Sequence, residues 1–138
     1  MNMPPRAAAF TLLEMMVVLA IGALVIGIGT VSVQRLTEEH GLLKVAHEAE
    51  RVCMQAMTRT LATAQGQQVS LETLGQGAKL TLKRFGASVF VGAKDQYLFV
   101  RPGGLCEPLT LRWQQGTSWV TATLDPLTGG FLEMEEHL

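Results

Sequence analysis

Glu14 is the residue of this chain whose placement most needs a chemical reason. It stands at the head of an apolar run reaching Val33, and between Met15 and Gln34 there is neither a charged residue nor a proline. About 20 residues at ~1.5 Å rise cover the ~30 Å hydrocarbon core of a membrane, so the run is long enough to span one. An acid at the mouth of such a helix is costly unless an opposite charge answers it, and acids so placed are read first as functional. The chemistry on offer is ion pairing in low dielectric, where two opposite charges stabilise each other and either alone is penalised. The plainer alternative is an uncleaved membrane anchor whose Glu14 snorkels to the headgroups.

Other reactive side chains are few. A Ser/His/Asp hydrolase would draw on His40, His47, His137, Asp95 and Asp125, and no Gly-x-Ser-x-Gly elbow occurs. His47-Glu48 is followed by Arg51 where a zinc protease would need histidine. His40 and His47 are seven apart, on one helix face but two turns distant, which is the wrong spacing for metal ligands. Surface or subunit-contact roles fit these histidines better. Gly75-Gln76-Gly77 lacks the Lys-Ser/Thr of a phosphate loop. Glu133, Glu135 and Glu136 read as a solvated acidic end, since no ordered set of calcium ligands with a glycine turn accompanies them. The expectation is a protein with no enzymatic activity, no cofactor and no metal.

Cys53 and Cys106 lack the C-x-x-C spacing of a redox motif. An oxidising compartment would permit a bridge between them, and two independently buried thiols are the equal alternative. Lys79, Lys83 and Arg84 form a small basic stripe on one candidate strand. The net charge is −1, and −2 without Arg6 (10 basic against 12 acidic residues). Three charges on an acidic domain read as a solvated strand face, so nucleic acid is not the expected partner.

The elements that position these residues follow from periodicity. With 138 residues the chain suggests one small domain and its anchor. Residues 35–65 contain one glycine and no proline, and Leu36, Leu43, Ala46, Cys53, Met57, Leu61 and Ala64 recur at helical spacings. The helix is therefore expected to run on past the membrane half as an amphipathic continuation that stops at Gly66. Beyond Gly66 the period falls to two. Val69 and Leu71, Leu80 and Leu82, Leu109 to Trp113, and Val120 to Leu124 read as half-buried strands. The continuous runs Val89–Val91 and Tyr97–Val100 read as strands covered on both faces. Turn signals separate them, among them Pro102-Gly103-Gly104 and Asp125-Pro126-Leu127-Thr128-Gly129-Gly130. Six or seven short strands in an antiparallel sheet or sandwich, packed on the amphipathic helix, make an α+β fold.

Ahead of the apolar run lies a leader of nine residues with one charge, Arg6, ending in Ala7-Ala8-Ala9. In a secretory signal the small-residue cleavage site follows the apolar core; here it precedes it, so a cut after Ala9 would leave the hydrophobic helix on the mature protein. With Phe10-Thr11-Leu12-Leu13-Glu14 this arrangement closely resembles type IV prepilins and type II secretion pseudopilins. The sequence has Ala9 where most members have glycine. A looser likeness covers residues 99–132: Phe99-Val100-Arg101-Pro102-Gly103-Gly104, a strand, then Asp125 to Gly130 look like the C-terminal pattern of GspH/FimT-type minor pseudopilins.

The resemblance implies a prepilin peptidase that cuts between Ala9 and Phe10 and methylates the new Phe10 amine. It implies that Glu14 meets the terminal amine of a neighbouring subunit during filament assembly. The domains would be a leader (1–9), a transmembrane and filament-core helix (10–34), its amphipathic continuation (35–65) and a periplasmic β-rich domain (66–138). The partners would be membrane lipid before assembly, other major and minor pseudopilins, and an inner-membrane assembly platform. The chain would sit in the bacterial inner membrane with its C-terminal domain in the periplasm, then in a filament. The resemblance leaves three functions: a minor pseudopilin of type II secretion first, a type IV minor pilin for DNA uptake or adhesion second, and a membrane-tethered periplasmic domain of another kind third.

Overall fold

The structure, a computed structural model, describes residues 10–138. Among them are one long helix, α1 (Leu12–Thr63), a short 3-10 helix (Glu72–Gly75) and eight strands. The chain divides into two compact units, one ending at Leu36 and the other Thr37–Leu138.

In the first unit, α1 starts where a threonine can close its free end. Thr11 Oγ1 accepts the Glu14 N–H at 3.2 Å, and the Thr11 carbonyl accepts the Met15 N–H at 3.2 Å. Residues Leu12–Thr30 form a 19-residue apolar span of which nothing is buried within the protein. The helix is unbroken through Gly27-Ile28-Gly29-Thr30, where the Thr30 hydroxyl donates to the Gly27 carbonyl at 3.0 Å and the Ser32 hydroxyl to Ile28 at 3.3 Å.

In the second unit, α1 carries a buried stripe of Leu42, Ala46, Ala49, Cys53, Ala56, Met57 and Thr60. This differs from the expected stripe at Leu36, Leu61 and Ala64, which are exposed. Small residues dominate it, and the close approach to its backbone comes from a turn: a Cβ at Gly129 would lie 2.9 Å from the Cys53 carbonyl oxygen. The Thr60 hydroxyl, fully buried, is satisfied by donating to the Ala56 carbonyl at 2.9 Å. The helix ends at Thr63, with Ala64 in the left-handed region (φ 55°), so alanine and not Gly66 makes the turn.

The strands form two antiparallel sheets. β1 (Gln67–Ser70), β4 (Tyr97–Arg101) and β5 (Leu105–Cys106) stand in the order β1-β4-β5. β2 (Lys79–Arg84), β3 (Val91–Gly92), β6 (Leu109–Gln115), β7 (Ser118–Leu124) and β8 (Phe131–His137) stand in the order β3-β2-β6-β7-β8. One core joins Leu98 and Val100 of the first sheet to Leu82, Leu111, Val120 and Ala122 of the second and to the helix stripe. Trp113 is its largest fully buried side chain, and its indole N–H donates to the Leu74 carbonyl at 3.0 Å. That bond spares the core an unpaired donor.

Two expectations are corrected. Tyr97–Val100 is a strand but buries only Leu98 and Val100, leaving Tyr97 and Phe99 exposed. Val89–Val91 contributes only Val91 to a two-residue edge strand, with Val89 and Val91 exposed. Tyr97 and Phe99 lie at the surface because β4 has one covered face, whereas both residues of β3 are exposed. Glu133, Glu135 and Glu136 are exposed, as a solvated acidic stretch should be, and they lie on β8, an edge strand.

Candidate functional site

The N-terminal site is built by the first turn of α1. Phe10 is 71% exposed, and Glu14 lies in the first helical turn, where a negative charge opposes the positive end of the helix dipole. Thr11-Leu12-Leu13-Glu14 has the Thr-x-x-Glu spacing of a capping box, and the Thr11 hydroxyl bond to the Glu14 N–H is its first half. This signal is local in the sequence, four consecutive residues at the mouth of the apolar run. Phe10 and Glu14 therefore stand one turn apart on a closed helix end, with the carboxylate free of backbone duty. Ala9 lies outside the described residues.

The span below this turn is an apolar helix surface without a protein cover of its own. It can be covered by lipid or by the helices of neighbouring molecules. That is the geometry a membrane anchor or the core of a filament requires.

The remaining candidates are dispersed. His40 is exposed, His47 Nδ1 lies 3.6 Å from Glu50 Oε2, and the His137 ring stacks on Trp119 with centroids 5.6 Å apart. Asp95 is exposed in a turn with φ 57°, and Asp125 holds the late turn. Its Oδ1 accepts the Leu127 N–H and its Oδ2 the Thr128 hydroxyl, both at 2.9 Å. Among the described residues no group of three or more His, Cys, Asp or Glu side chains could hold a metal ion. A surface groove of about 550 Å³ is lined by Phe99, Arg101, Leu105, Cys106, Glu107 and Pro108, and contains no nucleophile paired with a base.

The late turn, residues 125–130, is where the sequence's second likeness falls, and here the structure adds a residue that periodicity missed. Glu50 of α1 accepts the Phe131 N–H on Oε1 at 2.9 Å, which fastens the turn to the helix. Gly129 has φ 74°, and a Cβ there would lie 2.9 Å from the Cys53 carbonyl oxygen, so the close approach needs glycine. Nothing in the local sequence couples Glu50 to a turn 81 residues away; only the packing does.

The bridge that the sequence left open between Cys53 and Cys106 is not formed: both are free, buried thiols. They flank the same turn. Cys53 presents its carbonyl to Gly129, and Cys106 Sγ lies 3.7 Å from the Asp125 carbonyl and 3.6 Å from that of Pro126. Burial pushes the Cys53 thiol up to about 12, with the neighbouring Cys106 adding to the effect. Burial also raises Cys106, with Asp125 contributing.

The basic stripe is divided by the strand's alternation. Lys79 and Lys83 face outward, whereas Arg84 turns the other way, pairs with Glu107 and donates to Gln96 Oε1 at 3.2 Å.

With this geometry in place, comparison with known families gives one match. Residues 4–30 match the model of the prokaryotic N-terminal methylation motif. The chain thus carries a type IV prepilin-like motif, which marks it as pilin-like and implies processing by a prepilin peptidase and assembly with other pilins. The apolar helix is consistent with the membrane anchor of such a protein. No curated protein and no solved structure matches the chain.

Proposed function

We propose that the protein is a non-enzymatic filament subunit, a minor pseudopilin of a type II secretion system. Cleavage between Ala9 and Phe10 would free the Phe10 amine for methylation. Glu14 would then pair with the amine of a neighbouring subunit as the helix leaves lipid for the filament core. The β-rich domain would stand in the periplasm and present its surface to other minor subunits or to exported protein. The observation that carries this reading is a methylation motif running into a 19-residue apolar helix that has no cover of its own and one carboxylate in its first turn.

The test is Glu14→Gln. Glutamine keeps the backbone N–H that Thr11 caps, so the exchange removes charge and little else. The variant should be cleaved and inserted into the membrane as the parent is, while cross-linking through the helix to partner pilins falls by about tenfold or more, the scale on which an unpaired buried charge acts. Undiminished cross-linking would refute the role given to Glu14. An N-terminus still beginning at Met1 in the membrane fraction would refute the processing.

A further inference from the structure

The outward face of the five-stranded sheet is ordered by charge, and strand pairing fixes that order. Lys79 pairs with Gln114, Gln114 with Trp119, and Trp119 with His137. The next outward row runs Thr81, Arg112, Thr121, Glu135, and the third runs Lys83, Thr110, Thr123, Glu133. Every cation of these rows lies on β2 or β6, both carboxylates lie on β8, and between them stand threonines. The face thus changes sign across its width while staying level along its length.

The cations are held in place. Arg112 donates to Thr121 Oγ1 at 3.1 Å and lies between two rings, its guanidinium carbon 4.3 Å from the centroid of Phe90 and 4.9 Å from that of Trp119. Lys83 Nζ is 5.2 Å from the centroid of Phe90. The aromatic rings hold these charges outward, which lowers the conformational entropy lost when a partner binds. Between the basic and acidic sides lies a shallow hollow of about 220 Å³ floored by threonines.

We propose that this face binds the same face of a second copy of the chain. A twofold axis parallel to the strands, between β6 and β7, would lay β2 of one copy over β8 of the other and preserve the level of each row. Lys83 would then meet Glu133 of the other molecule, Arg112 would meet the threonine of β7 with Glu135 beside it, and the reverse pairs would form by symmetry. Such a contact is isologous: one patch complements itself and needs no second surface. Free nucleic acid is disfavoured by the two carboxylates, and a uniformly charged partner by the presence of both signs. The proposal is independent of the filament reading, since it concerns the second unit alone.

The experiment uses the full chain in its membrane. A cysteine introduced by Thr123→Cys, near the axis, is treated with a short bismaleimide; the buried native thiols make the parent chain the control. A cross-linked pair of identical chains is expected. Lys83→Glu alone and Glu133→Lys alone should each reduce that product about tenfold, as like charges then face each other. The double variant Lys83→Glu, Glu133→Lys should restore it, because the same pair is remade with its signs exchanged. Unchanged resistance to protease in each variant separates a lost contact from a lost fold. No self-cross-link, insensitivity to the single changes, failure of the double variant to restore the product, or cross-linking only to a different protein would each overturn the proposal. Cross-links through the helix around Glu14 report the filament reading separately.

Discussion

The two halves of α1 share a backbone geometry and differ in what covers them. Between Leu12 and Thr30 the helix displays leucine, valine and isoleucine all around, with nothing buried, and Leu24 is 67% exposed. From Leu42 to Thr60 one stripe of mostly small residues is buried against strands, and the apolar side chains of β2, β4, β6 and β7 complete a common core. The first half must take its apolar partner from outside the molecule, from lipid or from other helices. The second is satisfied by its own chain. A protein divided in this way can exchange one environment for another at its first half without repacking the second, which is what passage from a membrane to a filament would demand.

The sharpest way to break this contrast uses the buried thiols. Cys53, held at about 12 against an ordinary value of 9.0, should be alkylated at pH 8 on the order of a thousandfold more slowly in the folded chain than in the unfolded one, from its thiolate fraction alone. A cysteine introduced by Leu24→Cys, covered by detergent and not by the second unit, should react at a rate that unfolding of that unit leaves unchanged. The linkage has a definite sign. The fold favours the neutral thiol, so this contribution is complete below pH 9.0 and is lost as pH rises toward 12. Urea unfolding followed by tryptophan fluorescence across that range should show stability falling, and a flat profile would contradict the burial of Cys53.

A matched pair of truncations tests the same contrast by packing. Leu111→Ala, at a fully buried site, should cost ~2–5 kcal/mol in that unfolding measurement, whereas Leu24→Ala should change it by less than ~0.5 kcal/mol. Trp113 and Trp119 both report on the second unit, so equal effects would show that the units unfold together. The smallest effect belongs to the helix start. Thr11→Ala removes the hydroxyl bond to the Glu14 N–H and should weaken the first turn by ~0.5–1 kcal/mol. Amide exchange should quicken at Glu14 in micelles while the unfolding midpoint of the second unit stays put.

Much of this was legible beforehand. Strict alternation placed β2, β6 and β7, because a strand with one covered face must alternate. The same rule governs Tyr97–Val100, but there the exposed positions carry Tyr97 and Phe99, and apolar character hid the alternation. Alternation does not mark β8, because Phe131-Leu132-Glu133-Met134-Glu135-Glu136-His137 is an edge strand, open to water along one side and so free to carry acids. The spacing of the large apolar residues misplaced the helix stripe: Ala49, Ala56 and Thr60, small or polar, are buried, while the larger Leu36 and Leu61 are not.

By itself the sequence determined the apolar helix, its acidic first turn and the processing motif ahead of it, since each depends on residues within a few positions of one another. It determined as well that strands follow the helix. The fastening of the late turn by Glu50, the free thiols on either side of that turn, the diversion of Arg84 to Glu107 and the gathering of charge across the outer sheet were decided only by the tertiary structure. Each joins residues far apart in the chain, and no local pattern encodes a partner that folding alone brings near.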